Sequence, residues 1–265
     1  MPARGRKPPV GEPVLDRAVR LLDAFDASGR GLRLAELARR SGLSPSTALR
    51  LARRLATLGL LERAEDGTFT VGLRMLEFAA RSPRGHGLRS IALPYLEELH
   101  RATGHHVLLG VRDGDEAVLV ELLSPVADRS PLYPVGSRLP LAGTGVGLAL
   151  LAFAPEDFRV DYTAREHRIE PEGVLVDRAA LVRRIARIRA DRVATIARPA
   201  GPRYASVAAP VFGRSPDPAA AVSVVGPPGE LEPETVRAAT IAIAGAISRR
   251  LRGDPVPPQM PTGPG

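Results

Sequence analysis

The sequence contains no cysteine. That excludes disulfides, thiolate nucleophiles and cysteine-ligated zinc. Lysine is almost missing as well: 36 of the 37 basic residues are arginine. No apolar run follows the basic start, so a secretory signal is not expected. The longest apolar stretch, Val146 to Ala154, falls far short of the roughly 20 residues that span a bilayer. A cytoplasmic protein without membrane association is the expectation. Catalytic signatures are lacking too: there is no Gly-x-Ser-x-Gly elbow, no His-Glu-x-x-His and no Walker loop. The histidines are scattered apart from His105-His106, and neighbours on a strand face opposite ways, which makes a poor metal pair. No enzyme activity, metal or cofactor is therefore expected, and no internal repeat is visible.

What is present is a chain of 265 residues, 44% hydrophobic and 25% charged, long enough to bury the core of one large domain or two ordinary ones. The net charge of +8 is unevenly placed. Residues 1–86 hold 16 basic and 9 acidic groups, whereas residues 87–265 hold 21 and 20. Codon bias can account for arginine replacing lysine, but not for this segregation. It points to a polyanion-binding module joined to a near-neutral one.

Periodicity divides the chain further. Residues 1–13 and 253–265 are rich in Pro and Gly and read as a disordered basic arm and a disordered tail. Leu15, Ala18, Leu22 and Phe25 recur at helical spacing, broken by Gly29 and Gly31. Leu34, Leu37 and Ala38 mark a short second helix that Ser41-Gly42 stops. Ser44-Pro45 is an N-cap followed by proline, opening a third helix to about Leu58. Asp66-Gly67 between Leu61 and Phe69-Thr70-Val71 predicts a hairpin. Three helices and a hairpin make a winged helix-turn-helix over 14–72, followed by a linker helix over 73–87 that gives way at Ser82-Pro83-Arg84-Gly85. Residues 88–252 alternate helices and strands. They predict an α+β domain around one sheet, with strands at His106–Val111, Ala117–Leu123, near Leu132–Val135, Val193–Ala197, Ser206–Phe212 and Ala220–Val225.

The third helix carries the chemistry. At about 100° per residue, Ser46, Arg50, Arg53 and Thr57 share one face, which Thr47 and Arg54 extend, while Ala48, Leu51, Ala52, Leu55 and Leu58 lie opposite. The polar face has hydroxyls and arginines and no acid; a merely solvated face usually mixes both signs. That is the requirement for a recognition helix in the major groove of double-stranded DNA. Arginine pairs with guanine, while hydroxyls such as those of Ser44, Ser46 and Thr47 hold phosphates. Arg63 on the wing is a phosphate or minor-groove candidate. Arg4, Arg6 and Lys7 fit either a DNA-contacting arm or a plain tail. The competing reading is a small-molecule-binding module whose helix-turn-helix serves protein contacts.

Several stretches together resemble the isocitrate lyase regulator (IclR) family of bacterial transcription factors. These are Leu15-Asp16-Arg17-Ala18 with Leu22 and Phe25, residues 34–63, FTVGLRMLE (69–77), GSRLPLAGTGVGLALLAF (136–153) and SVAAPVF (206–212). The resemblance spans roughly residues 14–252. It implies a winged helix, a linker helix, a GAF-like effector domain, homodimers or homotetramers on a near-palindromic operator, and a small-molecule effector, often an organic or aromatic acid. Taken alone, Leu141-Ala142-Gly143-Thr144-Gly145 reads as a tight loop-to-helix turn. In light of the resemblance it becomes one wall of a ligand pocket. Its small residues would let a carboxylate reach amides at a helix N-terminus, with a hydroxyl from Thr144 and a facing wall of Ser206 and Ala208. Where the family usually carries an acid before that strand, this chain has Arg192 to Pro199 with Arg198. Arg198 would suit a more anionic ligand, or mark an effector site that has been lost.

Overall fold

The computed structural model describes residues 11–26, 29–125, 133–169, 174–197 and 204–254. Most of the basic arm, most of the tail, and Arg198 lie outside them. The chain divides into two compact units, residues 1–82 and 83–265.

The first unit contains α1 (Val14–Leu22), α2 (Leu34–Ser41), α3 (Pro45–Thr57), the antiparallel hairpin β1 (Leu61–Arg63) and β2 (Phe69–Val71), and α4 (Arg74–Ala80). Its core joins Leu21, Leu37, Leu43, Leu51, Leu55, Leu61 and Phe69. Gly42 takes the left-handed conformation that ends α2, and Ser44 caps α3 by accepting from the Thr47 N–H at 3.3 Å. In the wing turn the Asp66 carboxylate accepts from the Thr68 N–H at 3.0 Å and its hydroxyl at 2.7 Å. Two features differ from expectation. Leu32 bridges Phe69 and adds a third segment to the wing. The buried face of α1 centres on Leu21, 0% exposed, with Leu22 and Phe25 partly buried on the same core, whereas Leu15, at the start of the helical repeat, is 74% exposed. A four-residue apolar pattern at helical spacing fits two neighbouring faces, and contact with α2 and α3 selects between them. Gly72 sits where a Cβ would meet the Gly59 carbonyl oxygen at 2.2 Å, so only glycine lets the end of the wing close on the end of α3.

The second unit opens with a π-helical turn, Pro83–Gly87, that leads into α5 (Leu88–Thr103). The stretch expected as a linker helix over 73–87 thus holds two helical pieces, α4 and this turn, and α5 runs through Pro94. There follow β3 (His106–Asp113), β4 (Glu116–Leu123), β5 (Arg138–Pro140), α6 (Gly145–Ala152), α7 (Glu156–Ala164), β6 (Arg168–Ile169), β7 (Val174–Leu175), α8 (Arg178–Asp191), β8 (Ala194–Ala197), β9 (Ala205–Phe212), β10 (Pro218–Gly226) and α9 (Pro233–Arg252). Six strands form one antiparallel sheet in the order β5-β4-β3-β10-β9-β8. Period-2 alternation along β9 sends Val207, Ala209 and Val211 to a core shared with α5 and α9, while Ala208 joins a core with α6 and α8.

The strand expected near Leu132–Val135 is displaced to Arg138–Pro140. Residues 135 and 136 form a turn in which Gly136 has a φ of 90°, and Pro134 has no N–H for a ladder; Leu132 lies outside the described residues. The short β6–β7 hairpin was not anticipated, because two-residue strands carry no periodicity.

Candidate DNA interface and effector pocket

On α3, Ala48, Leu51, Ala52 and Leu55 are buried in the core of the first unit, and Arg50, Arg53, Arg54 and Thr57 are exposed. The division follows the apolar stripe: once one face packs, 100° per residue turns the arginines outward. At its N-terminus the Ser44 hydroxyl lies 2.9 Å from that of Thr47 and 3.3 Å from that of Ser46. Hydroxyls and first-turn amides thus converge at the positive end of the helix dipole, which suits a phosphate.

The arginines of α2 and α3 differ in one decisive respect. Glu36 accepts from Arg39 at 2.6 Å and from Arg40 at 2.7 Å, and Asp26 takes a further Arg40 contact at 2.9 Å. The hydrogen bond from Arg39, then that from Arg40, pulls the Glu36 carboxyl down to about 2. Arg50, Arg53 and Arg54 have no carboxylate partner among the described residues. Charge on α2 is therefore used within the fold, and charge on α3 is left for something outside it. Arg63 stands on the wing with its guanidinium 5.6 Å from the centre of the Phe69 ring, a contact that leaves its charge available.

In the second unit the structure brings the two expected pocket walls together. A Cβ on Gly145 would lie 2.5 Å from the Ser206 Oγ and 3.4 Å from the Ala208 Cβ. Leu141, Ala142, Thr144 and Gly145 are all buried, as are Ser206 and Ala208. The close approach leaves only about 10 Å³ of void between Thr144-Gly145 and Ser206, space for about one water. A larger cavity of about 340 Å³ lies on the outer side of Thr144, lined by Glu116, Tyr133, Arg138, Leu139, Pro140 and Arg168. Thr144, Tyr133 and Leu139 line both spaces.

Hydrogen bonding assigns the polar groups. The Thr144 hydroxyl donates to the Pro140 carbonyl at 3.1 Å and accepts from the Gly147 N–H at 3.0 Å. It is the N-cap of α6, so the proton expected to be offered to a ligand is engaged within the loop. The Gly143 N–H is directed to the Pro140 carbonyl at 3.3 Å. By contrast, the Ser206 Oγ is buried and has no hydrogen-bond partner among the described residues. A buried hydroxyl left this way is costly unless something fills the role. Tyr133 and Tyr204, which sequence reasoning passed over, meet hydroxyl to hydroxyl at 2.9 Å. They are 71 residues apart and neither lies in a strand, so only the folded chain brings them together. Arg138 at the rim binds Asp113 at 2.7 Å and Glu116 at 3.2 Å, and its hydrogen bond holds the Asp113 carboxyl below the usual carboxylate range.

Comparison with known proteins settles the ancestry. The sequence model of the IclR helix-turn-helix domain matches residues 14–65, and that of the bacterial transcriptional regulator IclR C-terminal domain matches residues 82–250. The chain belongs to the IclR family of bacterial transcriptional regulators. Among IclR-type relatives, the HTH-type transcriptional regulator BhcR of Paracoccus denitrificans is 32% identical over 217 residues, which are 80% of this chain and 77% of BhcR. XynR of Escherichia coli is 28% identical over 66% of this chain and 70% of its own length. A solved IclR homolog from Microbacterium hydrocarbonoxydans, complexed with 4-hydroxybenzoate, superposes with a TM-score of 0.82 at 29% identity, covering 91% of this chain and all of that one. The winged helix-turn-helix and the α+β effector domain are thus those of IclR regulators, and the protein is a DNA-binding transcriptional regulator. Among the described residues, no helix is long and apolar enough to cross a membrane.

Proposed function

We propose that this IclR regulator binds a near-palindromic DNA operator as a homodimer or homotetramer, with α3 in the major groove, and that a small organic or aromatic acid controls it. The observation that carries the DNA reading is the acid-free outer face of α3, where Arg50, Arg53 and Arg54 have no carboxylate partner while Arg39 and Arg40 next door are held by Glu36. Ser44, Ser46 and Thr47 take phosphates and Arg63 reaches from the wing. Two copies are needed because one winged helix covers too few base pairs for genomic specificity. Apolar side chains exposed on the same unit supply a seam: Leu15 at 74% and Val19 at 56% on α1, with Leu73 at 69% just before α4 and Leu76 at 62% on it.

The effector site comprises the roughly 340 Å³ cavity at Thr144 and the inner void at Ser206. Arg138 and Arg168 stand at the rim, paired with Asp113 and Glu116 and with Glu166, so a ligand carboxylate would enter by exchange with these pairs; the Tyr133–Tyr204 pair provides hydroxyls and Leu139 an apolar wall. The Microbacterium homolog holds such a compound. The protein acts in the cytoplasm by binding rather than by catalysis, and its relatives carry the names of regulators. A ligand that prefers the DNA-competent or the incompetent state shifts operator affinity by that difference. A thermal-shift screen of organic and aromatic acids tests the site. Ser206→Ala removes a buried unpartnered hydroxyl and should leave the ligand-free protein at least as stable, yet reduce the shift given by a hit. A hit whose stabilisation is unchanged in Ser206→Ala and in Tyr133→Phe would place the ligand elsewhere.

A further inference from the structure

A second cavity, of about 220 Å³, lies at the other end of β9 and shares no residue with the effector site. β8 pairs only with Ala205–Ala208, so residues 209–212 of β9 have no strand on that side. The gap is closed by the C-terminal half of α9 and by the cap of α8. Arg192, Arg249 and Arg252 line it, together with Phe212, Gly245 and Ser248.

Two of these positions run against local backbone preference. Arg192 caps α8 at a φ of 57° and is the only non-glycine residue with positive φ among those described. The corresponding caps of α2, α5 and α9 are Gly42, Gly104 and Gly253. Glycine is the favoured residue there, so the arginine side chain is kept at the expense of backbone ease. Gly245 is the reverse case. It sits inside α9, where alanine is the better helix former, and an added Cβ would meet nothing closer than the Arg249 Nη1 at 3.6 Å. Packing does not demand glycine; its effect is to keep the cavity open. Both positions line the same space, and a left-handed non-glycine residue such as Arg192 is the kind of backbone strain that gathers at binding sites.

The charges point the same way. Arg252 binds Asp254 at 3.0 Å, but Arg192 and Arg249 have no carboxylate partner among the described residues. Arg192 is held over the Phe212 ring at 5.7 Å, and Ser248 fixes the end of the strand by accepting from the Phe212 N–H at 2.9 Å. Arg192 and Arg249 are both exposed and line one open cavity from separate elements, an arrangement that suits an oxyanion with at least two negative charges.

We infer that this cavity is a second ligand site, distinct from the effector pocket, for a small polyanion: a phosphate ester or a di- or tricarboxylate. The test is isothermal titration of the full chain with pyrophosphate and with citrate, at ionic strength matched by chloride. One anion should bind per protomer, and Arg249→Ala and Arg192→Gly should each weaken it by roughly tenfold or more. Arg192→Gly relieves the left-handed cap, so it should melt no lower than wild type, and lost binding then cannot be blamed on unfolding. Gly245→Leu, which fills the cavity, should also abolish binding. Ser206→Ala should leave it intact. Absence of binding by both anions would overturn the assignment. So would binding that Arg54→Ala weakens as much as Arg249→Ala, since that is general charge attraction. Loss of duplex DNA affinity in Arg249→Ala, without any small-anion binding, would assign the arginines to nucleic acid instead.

Discussion

Replacing Arg50 or Arg53 by alanine isolates the DNA interface, because the fold makes little use of either side chain. Both are exposed and neither pairs with a carboxylate among the described residues. Stability should therefore stay within about 0.5 kcal/mol of wild type. Binding should behave differently. An arginine that reads a guanine bidentately is worth about 1–3 kcal/mol of discrimination, and a dimer places it on two half-sites, giving about 2–6 kcal/mol. At roughly 1.4 kcal/mol per tenfold, operator affinity should fall from about 30-fold to more than 10,000-fold. An arginine that instead neutralises a phosphate should weaken specific and nonspecific duplexes alike and reduce the slope of log K against log salt by about 0.9 per contact. Arg39→Ala is the internal control: its guanidinium is occupied by Glu36 at 2.6 Å, so its loss should cost little affinity. The assay is a fluorescence-anisotropy titration on a selected operator and a scrambled duplex across a salt series. Affinity unchanged in both α3 variants, or a larger loss in Arg39→Ala, would refute the assignment of α3 as the reading helix.

Two further outcomes follow from single interactions. Glu36 titrates at about 2 in the folded chain against an ordinary 4.5, so the stabilisation it provides is complete above pH 4.5 and is lost as pH falls towards 2. Urea melts of the full chain should show that Glu36→Gln flattens this part of the pH dependence, and an identical profile in the variant would show that the Arg39–Arg40 pairing contributes nothing. Thr144→Ala should destabilise the second unit by about 0.5–2 kcal/mol without any ligand, because it removes the N-cap of α6. A ligand-free melt that does not change would mean that the 3.0 Å bond to Gly147 is not sustained in solution.

Much of this protein is legible in residue order because its decisive features are local. Ser44-Pro45, the 3.6-residue stripe of α3 and the Asp66-Gly67 turn each act within one or two turns of chain, and the structure has a helix, a helix face and a hairpin at those places. The long strands and helices of the second unit were visible because eight-residue runs of mostly apolar residues bounded by turn residues, and fourteen residues of helix, leave a local signal. What residue order left undetermined depends on partners distant in the chain. Which face of α1 is buried was decided by α2 and α3, which took Leu21 and left Leu15 outside. Tyr133 and Tyr204, 71 residues apart, meet only in the folded chain. That the Thr144 hydroxyl donates to the Pro140 carbonyl at 3.1 Å and caps α6 through the Gly147 N–H is also set by the folded loop. The difference between the arginines of α2 and α3 is likewise tertiary: identical side chains are neutralised or available according to whether Glu36 and Asp26 lie within about 3 Å. Local propensity determines the elements, but burial, hydrogen-bond satisfaction and charge pairing are properties of the assembled core and sheet, and these decided which hydroxyls and guanidiniums are engaged within the fold and which are left over.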